Sequence, residues 1–249
     1  MNHVLACILF VSMLLLDTNQ RRLYIFMAGD STMSIKETKA YPETGWGMPF
    51  VYFWDSTVQV INLAKNGRST KTFISEGLWQ QILGQGQAGD YVFIQFGHND
   101  EVPTKVNTYT TPEEFTANLK RYIAEARSKH MTPILLTPVA RRKFDTAGNL
   151  EDTHAQYSNL VRKVAVEEKV SFIDADKLSQ AIYSQLGVEQ SKLLFLHLQP
   201  GEHPNYPQGK EDNTHFSEWG ARMIAQMVLR ELRVAEPELA THIVSPAKK

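Results

Sequence analysis

Acyl transfer needs a hydroxyl, an imidazole and a carboxylate in contact, and this chain offers them near opposite ends of its sequence. The apolar run 23–28 stops abruptly at Gly29-Asp30-Ser31-Thr32. Such a run suits a buried strand, and the glycine and aspartate that close it suit a tight turn. A serine just past that turn carries its hydroxyl to the carboxyl end of a strand, the edge where open α/β sheets bind ligands. Ser31 is therefore read as a nucleophile. Far along the chain, Asp212-Asn-Thr-His215 sets a carboxylate and an imidazole three residues apart, just ahead of a predicted helix. His215 is placed as the general base that takes the Ser31 proton and later returns it to the leaving alcohol. Asp212 would bond the other ring nitrogen and stabilise the imidazolium. The competing reading makes Asp212 or Thr214 a helix cap and His215 an ordinary loop residue.

A serine attacking an ester creates a negative oxygen, which needs preorganised N–H donors. Two further strand ends offer them. The run 58–63 leads into Ala64-Lys65-Asn66-Gly67-Arg68-Ser69, and the run 91–96 leads into Gly97-His98-Asn99-Asp100. The backbone N–H groups of Ser31 and Gly67 and the side-chain amide of Asn99 form the candidate oxyanion hole.

Several elements must position these residues. Beyond the three strands above, 133–137 and 170–174 read as the fourth and fifth. Predicted helices fall between them: one ending near 83, one opened by Thr111 as cap and Pro112 in the first turn, one around 157–164, one over 176–186, and a last one over 217–232. Residues 35–55 read as a loop with short helical pieces, and 190–212 as a long Pro/Gly-rich loop. The chain after Arg233 reads as a polar tail that packs loosely or frays. Strand and helix alternate five times, which calls for a mostly parallel sheet covered on both faces, a three-layer α/β/α sandwich.

Composition fits that class. The 249 residues are 43% hydrophobic and 21% charged, with a formal net charge of −1, enough apolar content for a large core. Nucleic acid favours a strongly basic face, so it is not an expected partner. Cys7 is the only cysteine, which excludes an intramolecular disulfide. It lies within the apolar segment 4–16, which is short for a bilayer span and fits the apolar core of an export signal. The reading is a signal peptide over 1–20, a single domain over 21–249, and a secreted or periplasmic protein with no membrane role beyond export. A membrane anchor and a buried amino-terminal helix are the alternatives.

Gly29-Asp30-Ser31, Gly67, Gly97-His98-Asn99-Asp100 and Asp212-Asn-Thr-His215 resemble, in order, the four sequence blocks of the SGNH (GDSL-like) hydrolases. Finer features resemble the rhamnogalacturonan acetylesterase branch, carbohydrate esterase family twelve: Gly-Asp-Ser-Thr, Asn-Gly-Arg-Ser, Pro138-Val-Ala-Arg-Arg142 with Phe144, and Asp-Asn-Thr-His-Phe-Ser. The resemblance spans about residues 23–232. It implies a flavodoxin-like fold with a five-stranded sheet of order 2-1-3-4-5, a Ser31–His215–Asp212 triad, no cofactor and no metal. Asn66 departs from the pattern, standing where a glycine often precedes Gly67.

On the substrate side, Arg141-Arg142-Lys143 follows the fourth strand. One or both arginines are expected to recognise carboxylates of an acetylated acidic polysaccharide; a solvated charge run is the alternative. His98 is expected to shape the cleft, with a structural histidine as the alternative, and Tyr206 and Trp46 to offer faces to sugar rings, with ordinary packing as the alternative. His197 and His203, with Asp212 and His215, match no usual zinc spacing. The competing functions are an SGNH esterase acting on acetylated xylan or lipid, and a non-catalytic carbohydrate-binding protein.

Overall fold

Five short apolar runs pair side by side as parallel strands: β1 (Leu23–Gly29), β2 (Val58–Asn62), β3 (Tyr91–Gln95), β4 (Thr132–Leu136) and β5 (Ser171–Ile173). The computed structural model, which describes residues 21–244, orders them β2-β1-β3-β4-β5, as expected. The segment 1–20 read as an export signal lies outside the described residues. Side chains alternate across the sheet. Ile25 and Met27 of β1 join Phe93, Ile134 and Leu136 on one face, whereas Phe26 and Ala28 join Val92, Ile94 and Leu135 on the other. Both faces are buried, so these strands are apolar throughout rather than alternating with polar residues.

Helices close the two faces. The first core takes Ala221, Ile224, Val228 and Leu232 from one helix, together with Trp46 and Phe50. The second takes Phe115, Leu119 and Ile123 from another helix and Val161 and Val164 from a third. In chain order the helices are α1 (Gly47–Phe50), α2 (Thr70–Ser75), α3 (Leu78–Gln85), α4 (Pro112–Ser128), α5 (Ala155–Glu167), α6 (Ala175–Gln190), α7 (Glu218–Ala235) and α8 (Pro237–Ala240). Local sequence explains their ends. Thr111 and Glu114 form a reciprocal capping box at α4, with Pro112 in its first turn. The single helix expected to run through Leu83 is instead α2 and α3, divided at Gly77, whose φ of +75° belongs to the left-handed region.

Two expectations need correction. The stretch 190–212 is not all loop: β6 (Phe195–Leu198) pairs antiparallel with β7 (Lys210–Phe216), so Asp212 and His215 lie on a strand. The polar composition of Lys210-Glu-Asp-Asn-Thr hides this strand, because one partner and an open face leave little to bury. Residues 234–244 do not fray either. Leu239 and Ile243 are buried, and Ile243 bridges to Trp54. These scattered apolar residues close the core from below, a pattern too sparse to show as a period.

The segment 44–48 laces the two halves of the site together. Thr44 N–H donates to Phe216 O at 3.0 Å, Trp46 N–H to Thr32 O at 2.9 Å and Gly47 N–H to Met33 O at 3.2 Å. A Cβ on Gly45 would meet the carbonyl oxygen of Ser34 at 2.0 Å, and that neighbour is backbone. Gly45→Ala should therefore lower folding stability by about 1–3 kcal/mol, as overpacking does. A shift in urea midpoint would register it, and an unchanged midpoint would mean the segment gives way freely.

Candidate active site

The shared register of the strands brings the polar residues together. Met27 aligns with Asn62 and Gly29 with Gln95, so β1, β2 and β3 end along one edge. Ser31, Gly67 and Asn99 follow those ends. The Ser31 turn is held from within: Ser34 N–H donates to Asp30 O at 3.1 Å, and the buried Asp30 carboxylate accepts from Thr32 N–H at 2.9 Å and Thr32 Oγ1 at 2.8 Å. Gln95 Nε2 donates to Thr32 Oγ1 at 2.7 Å, and Trp46 Nε1 donates to Gln95 Oε1 at 2.9 Å. Trp46 is thus fully buried as the back of this network, which corrects the reading of it as a sugar platform.

β7 delivers the other half. His215 Nε2 lies 3.0 Å from Ser31 Oγ, and His215 Nδ1 lies 2.9 Å from Asp212 Oδ2. The second Asp212 oxygen accepts from Thr214 N–H at 2.8 Å and His215 N–H at 2.9 Å. With Nδ1–H donating to the carboxylate, Nε2 is left to accept the Ser31 proton. Burial alone would raise the Asp212 carboxyl; the hydrogen bond and charge of His215, with the two N–H donors, outweigh it and hold the group far below the usual carboxylate range. Serine hydroxyl, imidazole and carboxylate form one unbroken hydrogen-bonded line.

Gly67 occupies a turn with φ +76°, a conformation that favours glycine. Asn99 Nδ2 donates to Arg68 O at 3.0 Å, which ties its amide to the same turn. Asp100, next in line, is fully buried and accepts through Oδ1 from Thr70 N–H and Oγ1 and from Thr110 Oγ1.

The substrate-side expectations divide. Arg141 Nη1 donates to Thr214 Oγ1 at 2.6 Å and Nη2 to His98 O at 3.3 Å, and its side chain remains 29% exposed. Arg142 turns inward. It is 7% exposed and donates to Ser191 Oγ at 3.0 Å, Asn213 Oδ1 at 2.8 Å and the Val188 carbonyl. That guanidinium ties the end of α6 to β7, so the reading of Arg142 as a carboxylate binder is corrected. His98 is buried as well, packed edge-on against His154 at 4.4 Å. Burial, helped by the neighbouring His154 and Arg141, holds it well below the ordinary imidazole value and so uncharged. Its ring is withdrawn from solvent, and Arg141 Nη2 reaches its backbone carbonyl rather than its imidazole. Tyr206 spends its hydroxyl on Ala40 O at 2.8 Å, clasping the β6–β7 loop to the 38–44 segment. His197 Nε2 pairs with Asn213 Oδ1 at 2.9 Å. Among the described residues no group of three or more His, Cys, Asp or Glu is arranged to hold a metal ion. Sequence reasoning missed Lys36, a buried lysine beside the nucleophile turn; its one signal is a cation five residues after Ser31.

Sheet order and site define an SGNH-type α/β hydrolase scaffold. The chain belongs to the GDSL-like Lipase/Acylhydrolase family, whose profile matches residues 28–223. It is similar to the rhamnogalacturonan acetylesterase RhgT of Bacillus subtilis (strain 168), 40% identical over 91% of this chain and 96% of that protein. The probable rhamnogalacturonan acetylesterase YesY of the same organism is 35% identical over 84% of this chain and 92% of its own length. Among solved structures, protein YXIM from Bacillus subtilis superposes with a TM-score of 0.73 at 27% identity, covering 86% of this chain and 56% of that one.

Asp100 generates a pH prediction. Desolvation, reinforced by Asp30 and opposed by the threonine donors, pushes its carboxyl up to about 7. The folded chain then keeps a proton that the unfolded chain releases near pH 4, so this contribution is full below about pH 4 and fades as the pH rises through about 7. Asp100→Asn should reduce the fall in urea midpoint between about pH 5 and pH 8. An identical fall in both proteins would contradict the assignment.

Proposed function

We propose that the chain is a serine carbohydrate esterase that removes O-acetyl groups from an acidic pectic polysaccharide of the rhamnogalacturonan type. The observation that carries this reading is the contact of Ser31 Oγ with His215 Nε2 at 3.0 Å, backed by Asp212 at 2.9 Å. The names of the relatives RhgT and YesY support the choice of acyl group and polymer.

The chemistry follows from the geometry. Ser31 Oγ attacks the acetyl carbonyl carbon while its proton passes to His215 Nε2, and Asp212 stabilises the imidazolium. The carbonyl oxygen becomes an oxyanion, received by the N–H groups of Ser31 and Gly67 and the amide of Asn99. Collapse breaks the bond to the sugar oxygen, which leaves as the hydroxyl with the His215 proton. Water, deprotonated by His215, then attacks the acetyl-serine; its collapse frees acetate and returns the proton to Ser31 Oγ.

Arg141, part-exposed beside Thr214, is the side chain we assign to a substrate carboxylate. A groove of about 610 Å³ is bordered by Ile35, Tyr41, Thr44, Met48 and Tyr52, and we assign it to neighbouring sugar rings although none of Ser31, Asp212 and His215 lines it. We further read 1–20 as an export signal and 21–249 as the mature single-domain enzyme, which acts outside the cytoplasm where its polymer lies.

Ser31→Ala should lower acetate release from acetylated pectin by roughly a thousandfold or more, and Asn99→Ala by about a hundredfold. A folded Ser31→Ala protein with wild-type turnover would overturn the nucleophile. Arg141→Ala should lower kcat/KM on acetylated acidic oligosaccharides about tenfold more than on neutral acetylated xylo-oligosaccharides. Equal losses on both would remove Arg141 from substrate recognition.

A further inference from the structure

Lys36 lies five residues beyond the nucleophile, with its side chain wholly buried. All three of its ammonium hydrogens have partners. Nζ donates to Ser31 O at 2.5 Å and to Asn66 Oδ1 at 2.8 Å, and it pairs with Glu43 Oε1 at 2.7 Å. Each acceptor belongs to a different part of the site. Ser31 carries the hydroxyl. Asn66 immediately precedes Gly67, and its Oδ1 also accepts from Ser34 Oγ at 2.6 Å. Glu43 immediately precedes Thr44, whose N–H donates to Phe216 O, next to His215.

We propose that Lys36 is a positioning residue: one buried ammonium sets the spacing between the nucleophile turn, the Gly67 turn and the strand carrying the general base. This deepens the reading of Ser31 as nucleophile and rests on it.

Three arguments support the assignment. Burying an ammonium is costly, and burial does push Lys36 below its usual value against the opposing pull of Glu43. Such a group persists where its directional bonds do something that apolar packing would not. Next, an oxyanion hole works only when its donors stand within about half an ångström of the required place. The backbone N–H of Gly67 hangs on a turn of glycine and exposed neighbours, with no apolar anchor of its own. The Asn66 side chain supplies that anchor through Lys36 and Ser34. Finally, the departure at position 66 gains a purpose: a glycine there would leave Lys36 one acceptor short. The ammonium also stands one residue's backbone away from the hydroxyl that loses its proton.

The test uses the full chain with 4-nitrophenyl acetate, each variant's active sites counted by exhaustive labelling with a serine-reactive fluorophosphonate. Lys36→Met should lower kcat per labelled site by about a hundredfold, the loss typical of a misplaced catalytic group, with KM changed about twofold or less. Lys36→Arg, which restores charge and donors, should recover about tenfold of that loss. Asn66→Gly leaves Lys36 in place and needs no refilled core, so it stands if Lys36→Met fails to fold; it should lower kcat per site by about tenfold with KM unchanged. A kcat per labelled site within about twofold of wild type in Lys36→Met or Asn66→Gly, whatever the loss in melting temperature, would reduce Lys36 to a stabilising tie. An arginine variant no better than the methionine variant would do the same. Ser31→Ala separates this inference from its premise: full turnover there overturns the nucleophile, whereas a dead Ser31→Ala beside a fast Lys36→Met overturns the lysine alone.

Discussion

The hydrogen bond between Ser31 and His215 joins two residues from nearly opposite ends of the chain, and most of the architecture exists to keep it made. A contact of such sequence separation has no local cause. It holds because the sheet edge fixes Ser31, because β6 fixes β7, and because the 44–48 segment bonds to both partners' neighbours. Each of these ties is made by backbone groups, which set the course of the chain and leave the finer spacing to buried side chains such as Gln95 and Lys36. The imidazole then needs only Asp212 to choose its tautomer.

Beneath that contact lies a layer of buried, hydrogen-bonded polarity: Asp30, Thr32, Gln95 and Asp100 are all inaccessible. In an apolar interior such groups are costly unless bonded, and bonded they are rigid. Trp46, Gln95, Thr32 and Asp30 form one chain of donors and acceptors behind the nucleophile turn. The two apolar cores supply stability, whereas this polar layer supplies position. Catalysis by preorganised donors depends on the second.

The residues that end strands were legible because a parallel sheet places every carboxyl end on one edge, so order along the chain becomes proximity in space. Ser31, Gly67 and Asn99 are legible that way, whereas Asp212 and His215 are legible only from their three-residue spacing ahead of a helix and from the resemblance, with which the order of the five strands agrees. Direction of a side chain was not legible. Arg141 and Arg142 are adjacent and identical in type, yet one faces the site and the other fills the seam between α6 and β7. Trp46 and His98 take the packing roles that the sequence leaves open beside the ligand-facing ones, because loop residues lack a period that would assign them a face. The strand β7 was hidden by its polar residues. Lys36 was hidden because a lone lysine normally marks solvent, and only the three converging acceptors make it a buried residue.

The most direct measurement is to quench turnover of an acetylated substrate with acid within the first catalytic cycles and map the acetyl group by peptide mass spectrometry. An ester on the peptide containing Ser31, absent when substrate is omitted, is the predicted result. Acetyl found on another side chain, with Ser31 unmodified throughout turnover, would contradict the account.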